Sequence, residues 1–194
     1  MAEITGLLLA AGQSRRFGCH KLLAPYRRSP LVLHSAAALS PCDRVIAVVR
    51  ADDAALQKIL KAAGIETVIN EQADRGMGAS IARGVRASHQ SDGWCILPAD
   101  MPNIPPATSS KVVAALREGA ALAAPFYDER RGHPAGFSRV FADALQSLDG
   151  DRGARAIMEQ HWEKIVRIDS DAAGILEDID TRLELERING RDPV

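Results

Sequence analysis

The sequence predicts an α/β protein, a three-layer α/β/α arrangement of Rossmann-like type around a mostly parallel sheet. Short apolar runs alternate with amphipathic stretches along most of the chain, the pattern of strands joined by crossover helices. Glycine, proline and aspartate stand at most of the changes between them, where turns and helix ends need such residues. The glycine-rich and acidic clusters fall directly behind apolar runs, and in such a sheet that is the carboxyl edge where ligands bind.

The run Ile4 to Leu9 reads as the first buried strand. Ser29-Pro30 then offers an N-cap followed by proline at the first helical position, ahead of LVLHSAAAL. Arg44 to Val49 is the second strand, and Asp52 and Asp53 open the helix DDAALQKILKAA, which Gly64 closes. Strands follow at Glu66 to Ile69, Trp94 to Leu97 and Ala120 to Pro125, with helices from Gly78 to Ser88, Pro106 to Arg117 and Arg139 to Leu148. Asp178 to Asn189 reads as a loop entering a charged helix. With no internal repeat, low-complexity tract or Pro/Ser-rich linker, residues 1–194 are expected to form a single domain.

Of the 194 residues, 46% are apolar and 25% charged, enough to bury a core without covalent staples. Lys and Arg number 24 against 25 Asp and Glu, a net charge of −1 that argues against a nucleic-acid coat or an acidic-membrane binder. Aromatic residues, at 4%, are too few for single-strand stacking platforms. No basic region precedes the first apolar run and no run reaches membrane-spanning length, so neither a leader nor an anchor is expected. Cys19, Cys42 and Cys95 lack Cys-x-x-Cys spacing and the histidines lack zinc spacing, which fits a reduced cytoplasmic setting without structural zinc.

The strongest chemical signal follows the first strand, in Leu9-Ala10-Ala11-Gly12-Gln13-Ser14-Arg15-Arg16-Phe17-Gly18-Cys19-His20-Lys21. Small residues let main-chain N–H groups approach a phosphate or base, and Arg15 and Lys21 can neutralise a triphosphate. Taken singly, Gly12 and Gly18 read equally as turn glycines, but their joint placement behind a strand with these cations does not. Neither the Walker pattern nor Gly-x-Gly-x-x-Gly is present.

A second glycine loop runs from Asn70-Glu71 to Arg75-Gly76-Met77-Gly78-Ala79-Ser80, either a plain helix cap or a cradle of free N–H groups and a hydroxyl. Asp100 in Leu97-Pro98-Ala99-Asp100-Met101-Pro102 closes an apolar strand, where a carboxylate either caps a turn or holds Mg²⁺. Asp178 and Asp180, two apart in an extended segment, point the same way and read as metal ligands or as caps for the helix near Thr181. His133 in Arg131-Gly132-His133-Pro134 reads as a histidine bonded to a loop carbonyl, and the arginines of Asp151-Arg152-Gly153-Ala154-Arg155 read as exposed residues at a capped helix start or as phosphate ligands.

These motifs together resemble the nucleotidyltransferases related to molybdenum cofactor cytidylyltransferase and the molybdopterin guanylyltransferases, over nearly the whole chain. The signature is Leu-Ala-Ala-Gly-x-Ser-x-Arg-x-Gly-x-x-Lys, with Phe17 where methionine is more usual. The resemblance implies a GT-A-type fold, with a nucleotide-binding half at about 1–105 and an acceptor-binding half at about 106–194. It implies catalytic roles for Arg15, Lys21 and Asp100, and a nucleotide pocket of Leu9, Ala10, Ala11, Gly12, Ser14, Arg15, Lys21, Asn70, Gly76, Ser80 and Asp100. Mg²⁺ would sit on Asp100 and Asp180 with Asp178 in support, and the acceptor would meet His133, Arg152 and Arg155. Ala99 replaces a glycine often found before the aspartate, and Arg182-Leu183 replaces the usual proline and acid after Thr181. The Ala10-Ala11-Gly12 loop is similar to the cytidylyltransferase branch, where the guanylyltransferase branch tends to Ala-Gly-Gly, and so favours CTP over GTP.

The implied reaction is attack by the terminal phosphate of molybdopterin carrying molybdenum on the α-phosphorus of CTP, releasing pyrophosphate. Two further readings stay open: the same reaction with GTP or another phosphorylated small molecule, and a non-catalytic factor that hands the cofactor to a molybdenum hydroxylase. Lys21, Asp100 and Asp180 speak against the second, because a carrier needs no triphosphate and metal site.

Overall fold

The structure, a computed structural model, describes residues 1–13, 17, 20–151 and 153–189. Its strands are β1 (Ile4–Leu9), β2 (Pro25–Tyr26), β3 (Ser29–Pro30), β4 (Arg44–Val49), β5 (Glu66–Ile69), β6 (Gly93–Pro98), β7 (Leu122–Tyr127), β8 (Arg130–Arg131), β9 (Ala135–Ser138) and β10 (Ile165–Asp169). Its helices are α1 (Leu31–Ala38), α2 (Ala54–Ala62), α3 (Met77–Ala87), α4 (Pro106–Arg117), α5 (Ala142–Gln146), α6 (Arg155–Gln160) and α7 (Arg182–Asn189).

The main sheet runs β10-β7-β9-β6-β1-β4-β5, with β8 paired to β7. β6, β1, β4 and β5 are parallel neighbours, as are β7 and β10. β9 alone on this path runs against its neighbours, between β6 and β7. Along each strand alternate side chains go to opposite faces, and two cores result. Leu8, Ala47, Cys95 and Leu97 face a core with Leu31, Leu56, Leu60 and Val112 of the helices on one side. Leu7, Ile46, Trp94 and Ile96 face the other, with Ile81 and Val85 of α3, Leu145 of α5 and Met158 of α6. The mostly parallel α/β/α arrangement follows, since a sheet apolar on both faces must be covered on both. Among the described residues no helix is long and apolar enough to cross a membrane.

Several local expectations meet a different outcome. Ser29 does not cap α1: Ser29 and Pro30 pair as β3 with β2, Pro30 itself holds the N-cap position, and the Ser29 hydroxyl bonds His34 Nε2 at 2.8 Å. The strand expected from Ala120 begins at Leu122, because Gly119 turns at φ +99° and the Ala120 N–H still donates to Ala115 at the end of α4. The helix expected over 139–148 is a 3-10 turn, Arg139–Phe141, followed by α5. Arg139 is held to the preceding strand's loop, its N–H on the Asp92 carbonyl at 2.8 Å and its guanidinium on the Ser91 carbonyl at 3.0 Å, which prevents a regular first turn. By contrast α2 starts as read, with the Asp53 carboxylate accepting from Leu56 N at 3.1 Å and Gly64 turning at φ +73°.

Candidate active site

The ladder of the parallel strands continues into the loops at their carboxyl ends: Ala10 donates to Val48, Asn70 to Val49 and Ala99 to Leu9. This carries the three strand-end motifs to one edge. They open onto a cleft of about 870 Å³ whose walls include Leu9, Ala11, Gly12, Gly76, Ser80 and Asp100. No atom of the described residues stands within 4 Å of where a Cβ on Gly12 would be, so a ligand can approach its main chain. Ala10 is buried behind this wall. Asn70 lies outside the lining and holds Ser80 from behind, its amide donating to the hydroxyl at 3.1 Å while its carbonyl oxygen accepts from Gln72 N at 3.0 Å. Ser14, Arg15 and Arg152, and with them Cys19, lie outside the described residues.

The glycine loop of 76–80 is shaped by a remote turn. Gly76 adopts φ +107°, where a side chain would be strained, and Gly78 N donates to the Gly150 carbonyl at 2.8 Å. Arg75 pairs with Asp149 on the same turn. Asp151 thereby joins the cleft wall.

Behind Asp100 of the cleft wall, Lys21, only 8% exposed, places Nζ 2.7 Å from Asp100 Oδ2 and 3.4 Å from Asp180 Oδ1. Asp100, Asp178 and Asp180 each bring a carboxylate oxygen within 4.8 Å of the others. The Ile179 N–H donates to the Asp100 carbonyl at 3.0 Å and its side chain is fully buried, which turns the flanking aspartates toward Asp100. Capping of α7 falls to other residues: Thr181 Oγ1 accepts from Glu184 N at 3.2 Å, and Glu184 Oε2 accepts from the N–H groups of Asp180 and Thr181 at 2.9 and 2.8 Å. Burial, reinforced by the charges of Asp100 and Asp180 and opposed by Lys21, raises the Asp178 carboxyl above its ordinary range. Three oxygen donors of this kind suit a hard divalent cation.

Beside the cleft lies a second cavity of about 610 Å³, walled by Ile81, Ile96, Phe137, Met158 and Trp162 among others. His133 borders both cavities. Its Nδ1 is buried with no hydrogen-bond partner among the described residues, and burial, with Arg131 nearby, pushes the imidazole down to about 4, so it is neutral at pH 7. Arg155 borders the second cavity and pairs with Glu159 at 2.6 Å on the exposed side of α6. Sequence reasoning quoted Arg131 and Asp151 within motifs without giving either a role, and it missed Trp162, which reaches the second cavity from a 3-10 turn that no motif touches.

The chain is similar to proteins with varied names. It is 29% identical over 95% of its length to "Nicotine blue oxidoreductase" of Paenarthrobacter nicotinovorans, covering 96% of that protein. It is 29% identical over 95% of its length to "Purine catabolism protein PucB" of Bacillus subtilis (strain 168), covering 95% of that protein. Among solved structures it is similar to Rv0371c from Mycobacterium tuberculosis H37Rv, with a TM-score of 0.86 and 25% identity over 98% of this chain and 100% of that one. The family model described as MobA-like NTP transferase domain matches residues 6–165, so the chain belongs to the MobA-like NTP transferase family and is a nucleotidyltransferase.

Proposed function

We propose that this chain transfers CMP from CTP to the terminal phosphate of molybdopterin carrying molybdenum. An oxygen of the acceptor phosphate forms a bond to the α-phosphorus, the bond from that phosphorus to the β-bridging oxygen breaks, and pyrophosphate departs with the electron pair. The second pKa of a phosphate monoester is about 6, so the nucleophile is mostly a dianion at neutral pH and needs no general base. What opposes the reaction is repulsion among anions. Lys21, fixed against Asp100 and Asp180, and Arg15 supply positive charge at the phosphates, while main-chain N–H groups near Ala11 and Gly12 receive the nucleotide. Asp100 and Asp180, with Asp178 beside them, would hold Mg²⁺, which when bound draws charge from the phosphates. His133, neutral, offers the acceptor a hydrogen bond and no charge.

The observation that carries this reading is the convergence of the Ala11–Gly12 loop, Ser80 and the Lys21–Asp100–Asp180 cluster on one edge of the sheet. The Ala-Ala-Gly form of the loop supports CTP. Pyrophosphate release, measured with CTP and with GTP, each with Mg²⁺ and with or without molybdenum-loaded molybdopterin, tests it. Release with CTP only in the presence of the pterin is expected. Release with GTP instead reverses the base choice, CTP binding without release moves the acceptor elsewhere or favours a carrier, and pyridine-nucleotide-dependent dye reduction without pyrophosphate release overturns the proposal.

A further inference from the structure

Arg131 occupies a place that the reaction as derived above does not use. It is the second residue of β8, opposite Phe126 on β7, and its side chain borders both the nucleotide cleft and the apolar cavity. The backbone after it is held firmly: Gly132 N donates to Pro125 at 2.8 Å, His133 N donates to Ile175 at 2.9 Å, and a Cβ on Gly132 would stand 2.6 Å from the Ile175 carbonyl oxygen. The guanidinium is half-buried, and burial together with Arg155 lowers its pKa, with Glu159 alone acting the other way. Arg50, Arg75, Arg117, Arg155 and Arg167 each meet a carboxylate. Among the described residues none comes within 4.0 Å of Arg131.

A cation withdrawn from water without a counter-charge is costly, and a planar fork of donors matches the oxygens of a phosphate. The neighbouring cavity supplies the other half of a recognition site. Ile81, Ile96, Phe137, Met158 and Trp162 give it apolar walls suited to a flat ring, and Arg131 lines it where it adjoins the nucleotide cleft. We infer that Arg131 anchors the phosphate of the second substrate, a phosphomonoester whose flat ring enters the 610 Å³ cavity while its phosphate stays at the border of the nucleotide cleft. The inference rests on the proposed CMP transfer in taking this substrate as the acceptor, and it names the residue that selects for a phosphate on it.

The test is fluorescence titration with 4-methylumbelliferyl phosphate and with its uncharged counterpart 7-methoxy-4-methylcoumarin, on the full chain with CTP and Mg²⁺ present. A charge-assisted pair contributes about 1.5–3 kcal/mol, so the wild type should prefer the phosphate by on the order of 10- to 100-fold. Arg131→Met should remove that preference while retaining the coumarin, and Arg131→Lys should keep part of it. Absence of preference in the wild type, or its survival in Arg131→Met, overturns the assignment. So does an equal loss of CTP affinity in Arg131→Met, which would place the guanidinium on the nucleotide instead. CTP affinity measured on the same wild-type samples separates the two ideas: phosphate preference without CTP binding refutes CMP transfer and leaves the Arg131 anchor standing.

Discussion

Gly78→Ala should loosen the glycine loop from the turn that shapes it. A Cβ at this position would stand 2.8 Å from the backbone N, C and O of Asp149, and backbone cannot swing aside as a side-chain tip would. The substitution also strains the hydrogen bond from Gly78 N to the Gly150 carbonyl, 2.8 Å long. Overpacking of this kind costs about 1–3 kcal/mol and the bond about 1 more. Replacing glycine by alanine inside a helix returns about 1 kcal/mol. The net loss is therefore about 1–3 kcal/mol, which in a protein of this size lowers Tm by roughly 2–12 °C. Circular dichroism melts read it directly, with Gly12→Ala as the stability control, because a Cβ there meets nothing within 4 Å among the described residues. Gly76, Met77, Ser80 and Asp151 all line the cleft, so the KM for CTP should rise as the Tm falls. A Gly78→Ala protein that melts with the wild type would refute the packing of residues 149–151 on the start of α3.

Three further outcomes are expected. Asp100→Asn should lower metal-dependent turnover by on the order of 10²- to 10³-fold with the melting curve retained, and unchanged turnover would remove Asp100 from the site. Asp178→Asn should raise Tm without divalent metal at pH 7 and lose that advantage with Mg²⁺ added. The Asp178 carboxyl, raised above its ordinary 3.8, keeps a proton in the folded state that the unfolded chain has released, so wild-type stability falls as pH climbs through that interval. The gain from Asn should accordingly be absent below the ordinary value and full at neutral pH, and equal melts throughout would contradict it. Ala11→Gly should shift the ratio of CTP to GTP turnover toward GTP, since Ala11 lines the cleft; a constant ratio would locate base choice elsewhere.

The strands that the sequence shows most clearly are those buried on both faces, β1, β4 and β6, because continuous apolar runs have one physical meaning in a sheet covered on both sides. β9 escapes notice: its four residues Ala135–Ser138 carry one large side chain, and only the neighbours β6 and β7 make it a strand. β10, half-exposed at the sheet edge, lacks a sustained apolar run for the same reason of position. Within the site, each motif is legible where a glycine or an acid follows a strand. Their meeting is not, since Lys21 contacts Asp100 from 79 positions away and Asp180 from 159. The cap on α7 illustrates local ambiguity: Asp178 and Asp180 fit a helix start by type, and only the Thr181–Glu184 pair shows which residues do that work.

The reversal of β9 has a consequence for how specificity can change. A parallel strand presents the residues that follow it to the ligand edge, but a strand running the other way presents those that precede it. Ala135 pairs with Ile96 near the end of β6, so residues 130–134 cross the edge beside Asp100 before the chain turns down into the sheet. The two glycine loops hang from β1 and β5, whereas this crossing hangs from β7 and β9. Exchange of the 128–134 segment between relatives should thus alter which acceptor is taken while the nucleotide preference is inherited unchanged, making the two selectivities separable by grafting.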